Sequence, residues 1–373
     1  MSTSNFFSDN DDLIFKLRNC IDWKRILSLR EEIGKEGSPF ETPEEAVEVY
    51  LDMLRDPIGE IAANRIAPRA SDIDRDGCQL RDGVVLLPEG MIQNMKDLID
   101  ADLMGLTLPR EYGGLNLPTT FYSAAIEIIS RADASLMNLF GMQGIAETIN
   151  HFGSEEMKKR YLPLFASGKI SGAMVLTEPE CGSDLMSIRT QATFDEETGK
   201  WTIKGTKRFI TNGCGDCLLV LARSEDPKKY GGGRGLSLFL VEKGEAVKIR
   251  RIEHKMGING SPTCEIYFDN APAQLIGERG KGLTRYVNWL MSAAAASRNP
   301  AARSGSPSAS KTSAIPMRAA YAYPCTSHRA MGGRATVPSL KRTESEESFQ
   351  PWFSRPVSRS RMYSKYPSPS WSP

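Results

Sequence analysis

Leu176-Thr-Glu-Pro-Glu-Cys-Gly-Ser-Asp184 is a strand-like approach that breaks into hydroxyls and glycine, and Phe209-Ile-Thr-Asn-Gly213 repeats the design further along. Either segment alone reads as a turn. As an ordered pair following a helical domain they are more specific. Together they predict two adjacent rims rich in Thr, Ser and bare backbone N–H groups. A flavin needs donors at its pyrimidine edge and N5, apolar cover on one ring face, and N–H groups for phosphate. Thr177, Ser183 and Thr211 are the candidate hydroxyls, and Phe209 the candidate cover. Gly182 and Gly213 allow close backbone approach.

Upstream of this pair the pattern is helical, from about residue 40 to 169. Thr42-Pro-Glu-Glu45 is a capping box with proline at the first helical position. Val47, Tyr50, Leu51, Leu54, Ile58 and Ile61 continue the stripe, with a break expected at Pro57. Met91, Met95, Leu98 and Ile99 make the next stripe. Helical runs follow over about 119–131 and 134–150. Ser154 then caps a helix with Glu155 and Glu156 in its first turn, which Gly168 stops. Residues 1–39 form an N-terminal extension.

Around and beyond the pair the period becomes two. Ser171–Thr177, Gln191–Phe194, Lys200–Lys204, Arg208–Thr211, Leu218–Arg223, Leu236–Val241, Lys248–Arg251 and Cys264–Phe268 are short β-rich runs separated by turn residues. The fold class expected is α+β and multidomain: a helical N-terminal domain, then a middle antiparallel β-barrel or sandwich over 170–279. An amphipathic helix over 280–296 follows, with Leu283, Tyr286, Val287, Leu290 and Met291 on one face.

Periodicity stops there. The net charge of +1 conceals an asymmetry, because residues 297–373 hold 12 Lys/Arg against 3 Glu, with 17 Ser and 10 Pro but one Leu, one Ile and no Asp. Such a segment buries too little apolar surface to offset its chain entropy and reads as a disordered basic tail. A shifted reading frame in GC-rich DNA produces this composition. A genuine basic tail on a binding module is the rival reading, although no aromatic spacing favours nucleic acid.

No run of 18 apolar residues exists, and the acidic N-terminus is unlike a secretory signal. Seven scattered cysteines suit a reducing compartment, with cytoplasm as the default. Cys214-Gly-Asp-Cys217 reads as a redox pair, half a zinc site or two thiols without a role, the last favoured because no common metal spacing completes it. No metal is expected.

The paired motifs resemble those of the acyl-CoA dehydrogenase family. Leu176–Asp184 is similar to its first signature, with Cys181 where a smaller residue is usual, and Lys207–Gly213 to its second flavin segment. Pro109-Arg-Glu-Tyr-Gly-Gly114, His254-Lys-Met-Gly257 and Ile276-Gly-Glu-Arg-Gly-Lys-Gly282 strengthen the likeness over roughly 40–296. The preceding residues and Gly260-Ser-Pro-Thr-Cys264 look like a subgroup with an extended N-terminus.

The resemblance implies FAD, an acyl-CoA substrate in fatty acid metabolism, α,β-dehydrogenation, an electron-transferring flavoprotein as acceptor and a homo-oligomer. An oxidase of the same fold would pass electrons to O₂ instead. Met174, Val175, Leu176, Thr177, Gly182, Ser183, Phe209, Ile210 and Thr211 would line the flavin, Ser183 also reaching the CoA portion. The family's C-terminal helical bundle carries the catalytic glutamate, and here it is reduced to its first helix. Glu344, Glu346 and Glu347 lack helical context, so no base is named. The chain is expected to be catalytically incompetent, or a non-catalytic acyl-CoA- or flavoprotein-binding remnant. The surviving helix should expose Leu283, Tyr286, Val287 and Leu290 as an apolar patch.

Overall fold

The computed structural model describes residues 5–31, 33, 38–141 and 143–287, all within one compact unit. The tail over 297–373, the far end of the helix expected over 280–296 with Leu290 and Met291, and Glu344, Glu346 and Glu347 lie outside the described residues.

Two helices open the chain where the sequence reading left only an extension. They are α1 (Asp11–Asn19), capped by the Asn10 side chain, and α2 (Trp23–Arg30), capped by Asp22. Leu13, Leu17, Trp23 and Leu27 bury themselves in the same core as the helices that follow. Those are α3 (Pro43–Met53), α4 (Ala67–Asp76), α5 (Glu89–Asp100), α6 (Thr119–Ala132), α7 (Ala134–Phe140), α8 (Gln143–Phe152) and α9 (Glu155–Ala166). A short hairpin, β1 (Gln79–Arg81) and β2 (Val84–Leu86), interrupts them.

The expected caps are present. The Glu45 N–H donates to Thr42 Oγ1 at 3.1 Å, and Met157 N–H to Ser154 Oγ at 3.2 Å. The break before Pro57 falls at Asp56, whose φ of −128° and ψ of 108° leave the helical region. The single run expected over 134–150 is two helices, α7 and α8.

The second half is a barrel of β3 (Gly172–Val175), β4 (Gln191–Asp195), β5 (Lys200–Thr211), β6 (Cys217–Arg223), β7 (Leu236–Glu242), β8 (Val247–Ile252) and β9 (Thr263–Ile276). Pairings β6–β4, β4–β5, β5–β9, β9–β7 and β7–β6 close a ring, with β8 added on β9. Most pairs are antiparallel, but β3 and β4 both run parallel to β6. β6 is apolar from Cys217 to Ala222 because both of its faces are covered there. Leu218, Val220 and Ala222 fill the barrel with Phe239, Ile266 and Phe268. On the outer face, Cys217 and Leu219 meet Ile145, Ile149 and Phe165 of the helices.

The expected apolar patch is corrected at three positions. Leu283, Tyr286 and Val287 are buried. Leu283 and Val287 lie against Leu221 and Leu236, and Tyr286 packs with Leu238, Ile276 and Phe152. The outward barrel face itself covers this apolar side.

Candidate functional site

β3 leaves the barrel at Val175 and hands the chain to Leu176–Thr177. A tight turn follows, with Glu178 N–H donating to Cys181 O at 2.9 Å and Cys181 N–H to Glu178 O at 3.2 Å. Gly182, Ser183 and Asp184 then stand exposed. The second rim is the end of β5, and a backbone hydrogen bond joins the two: Arg208 N–H donates to Thr177 O at 2.9 Å.

The second rim is shaped by a bulge. Along β5, Trp201, Ile203 and Lys207 share a buried face, and strict alternation would send Phe209 the same way. The β5–β9 register shifts between Lys207 and Ile210, so Ile210 takes the core position. Phe209 sits at φ 60° with its side chain turned outward and 53% exposed. That backbone region is unusual for a bulky residue, and such outliers cluster at functional sites. The Arg208 guanidinium stacks 4.8 Å from the Phe209 ring centroid and is itself held by Glu253 at 3.1 Å.

Beneath the rims lies a buried ion pair. Lys207 Nζ is 3.0 Å from Glu178 Oε1 and donates to Leu176 O at 2.8 Å. Glu178 also accepts from the Arg189 and Thr190 N–H groups at 2.8 and 2.9 Å. Burial pushes the Lys207 ammonium down to about 8 against the pull of Glu178. Burial works upward on Glu178 too, but Lys207 and these hydrogen bonds outweigh it and leave the carboxyl below its ordinary value. Both residues lie within the two motifs, and neither is among the expected flavin-lining residues. The signal was a lysine in phase with Trp201 and Ile203, where a buried cation needs an acidic partner.

The expected site residues separate into two kinds. The Val175 and Ile210 side chains belong to the barrel core, so only their backbone is left to meet a ligand. Met174, Leu176, Thr177 and Thr211 are half-buried, while Gly182, Ser183 and Phe209 are exposed. Among the described residues, the hydroxyls of Thr177, Ser183 and Thr211 have no hydrogen-bond partner. A Cβ on Gly182 would meet only Thr177 Cγ2 at 3.5 Å, so internal packing does not demand glycine there. Gly213 differs: its Cβ would meet Ile266 Cδ1 at 2.8 Å and Cys264 Cβ at 2.9 Å. Asn212 is structural, donating to Gly172 O at 2.9 Å. Free donors, an exposed ring and an uncrowded glycine fit the flat, polar face of a flavin.

Cys214 and Cys217 do not act as a pair in this structure. Cys217 sits in the helix-facing cluster, while Cys214 packs with Cys264 on the barrel side. Among the described residues no group of His, Cys, Asp or Glu is arranged to hold a metal ion. No described helix is long and apolar enough to cross a membrane.

Two family models match in tandem: the acyl-CoA dehydrogenase N-terminal domain over residues 50–169 and the middle domain over 173–271. The chain belongs to the acyl-CoA dehydrogenase family. These are FAD-dependent oxidoreductases. The chain is 34% identical over 307 residues to 3-methylmercaptopropionyl-CoA dehydrogenase of Ruegeria pomeroyi, covering 76% of this chain and 48% of the relative. It is similar to butyryl-CoA dehydrogenase from Megasphaera elsdenii, with a TM-score of 0.58 at 25% identity, over 67% of this chain and 63% of that one. It is also similar to an acyl-CoA dehydrogenase complexed with FAD from Bacillus anthracis, with a TM-score of 0.58 at 28% identity, over 69% and 42% of the two chains. The chain spans about half the length of the curated relatives it matches.

Proposed function

We propose that this chain carries the flavin-facing wall of an acyl-CoA dehydrogenase and that, alone, it does not turn over acyl-CoA. The supporting observation is the Arg208 N–H to Thr177 O bond, which sets the two rims edge to edge with three hydroxyls unpartnered among the described residues and the Phe209 ring exposed. FAD, when bound, accepts hydride from the acyl β-carbon. In this reading Thr177, Ser183 and Thr211 donate to the isoalloxazine, Met174 and Leu176 line it, and the backbone of Val175, Gly182 and Ile210 lies alongside. Phe209 covers the ring. Ser183 also reaches toward the CoA portion of the substrate, and Arg189 and Arg223 in the neighbouring cleft supply positive charge for its phosphates.

The matched domains end at residue 271, and the carboxylates in the sequence beyond 296 are Glu344, Glu346 and Glu347, set among Ser, Pro and basic residues without amphipathic periodicity. Loss of a general base costs roughly 10²–10⁴ in rate. Cytoplasm, an electron-transferring flavoprotein acceptor and assembly with further copies complete the reading.

An anaerobic titration of the full chain with FAD, followed by addition of an acyl-CoA, tests it. The expected result is quenched flavin fluorescence without bleaching of the visible band. Bleaching would overturn the claim of incompetence, and failure to quench would overturn the flavin reading.

A further inference from the structure

We infer that the buried Lys207–Glu178 pair is a positioning couple for the flavin, holding the Leu176–Thr177 peptide so that Thr177 donates to the cofactor; this rests on the flavin reading above. One ion pair gathers three pieces of chain. Lys207 belongs to β5, Leu176 and Glu178 follow β3, and Arg189 and Thr190 lead into β4. These are the ends that bracket the segment from Gly182 to Ser187, which is exposed except at Leu185.

As a fastening alone, such a pair is a poor choice. Removing two charges from water costs several kcal/mol per ion, and a well-packed apolar pair is often as stable or more so. What the lysine adds is a charge-assisted hydrogen bond on Leu176 O. A carbonyl so engaged polarises its own peptide, and the N–H of that peptide belongs to Thr177. Among the described residues neither the N–H nor the hydroxyl of Thr177 has an acceptor. The couple therefore presents a sharpened donor at a fixed place on the rim.

The full chain and the variants Lys207→Met, Glu178→Gln and Lys207→Met/Glu178→Gln separate positioning from plain structural support. Melting temperature and FAD fluorescence quenching are read on each. Each single variant leaves one charge buried without its counter-ion and melts earlier. The neutral double variant recovers most of the melting temperature yet binds FAD about tenfold more weakly, the loss of one charge-assisted interaction. A double variant matching the parent in both readings overturns the inference and leaves the flavin reading intact. A parent that takes up no FAD overturns both. Should the double variant not fold, the unaltered chain decides. Its FAD affinity is expected to fall as the pH rises through about 8, where the ammonium of Lys207 is lost. An affinity that holds steady while the pH dependence of unfolding shows Lys207 losing its proton overturns the inference.

Discussion

A Cβ built on Gly277 would stand 2.2 Å from the Tyr286 hydroxyl oxygen. The tyrosine closes directly over the glycine, accepts a hydrogen bond from Glu278 N–H and packs its ring 4.5 Å from that of Phe152. This contact seats the first turn after the barrel on the barrel itself. Gly277 also has φ +66°, a conformation that costs other residues about 1–2 kcal/mol. Gly277→Ala therefore combines a clash with backbone strain and should destabilise the protein by about 2–4 kcal/mol. Tyr286→Phe keeps the ring and should cost about 1 kcal/mol. Denaturant unfolding of the two variants checks the order, and a Gly277→Ala chain as stable as the parent would refute the seating.

Lys207 makes stability depend on alkaline pH in an unusual direction. Its folded value of about 8 lies below the ordinary lysine value of about 10.4. Between these two the unfolded chain holds a proton that the folded chain has released, so this group raises stability as pH climbs. Its contribution is full above the unfolded value and is lost as pH falls through about 8. The groups facing Lys207 are Glu178 and the Cys181 thiol, whose own value burial and Glu178 push up. Glu178, held below its ordinary value, instead loses its contribution as pH falls into the acid range. The difference between parent and Lys207→Met in unfolding free energy should change by up to about 3 kcal/mol across the alkaline window. A constant difference would show that Lys207 keeps its proton throughout.

The opening helices are part of the core, and their removal should show it. Glu31, with a fully buried side chain, accepts from the Tyr50 hydroxyl at 2.8 Å and from Arg110 Nη2 at 2.6 Å. Burial, reinforced by this carboxylate, pushes the Tyr50 hydroxyl up. Glu31→Ala strands a buried hydroxyl and should cost about 1–3 kcal/mol. Leu27, fully buried, should cost about 2–5 kcal/mol on truncation to alanine. Thermal melts of both variants check this, and melts unchanged from the parent would mean the segment merely lies on the surface.

Local signals were legible in the sequence, and long-range ones were not. The Thr42 and Ser154 caps are read from neighbouring residues, and both appear where expected. The two flavin-like segments are local in the same way, and the Arg208–Thr177 hydrogen bond sets them side by side. α1 and α2 are nine and eight residues long, too short to stand without tertiary contact. Their stripe of Leu13, Leu17 and Leu27 gains meaning only from its partners across the core. β5 was read as two pieces because Gly205 and the Phe209 bulge interrupt its alternation. The apolar face of Leu283, Tyr286 and Val287 was correctly seen, but its cover comes from Leu221, Leu236 and Leu238, far away in the chain. Lys207 was readable by phase. Glu178 as its partner was not, because only the fold brings them together.

Phe209 offers the sharpest separation between stability and function. Its ring is 53% exposed, so little packing is lost on removal, and the Arg208 stacking contributes about 0.5–1 kcal/mol at such a site. Its φ of 60° costs about 1–2 kcal/mol that glycine would not incur. Glycine in turn gives the unfolded chain extra freedom worth about 0.5–1 kcal/mol. These effects nearly cancel, so Phe209→Gly should fold with stability within about 1 kcal/mol of the parent. If the ring covers the flavin, the same variant should lose FAD affinity by about tenfold, since a buried aromatic contact is worth about 0.5–1.5 kcal/mol beyond its area. Denaturant unfolding and FAD quenching on one preparation check both halves. A loss of several kcal/mol in stability would instead show that the bulge needs the phenyl ring, and unchanged FAD affinity would remove Phe209 from the site.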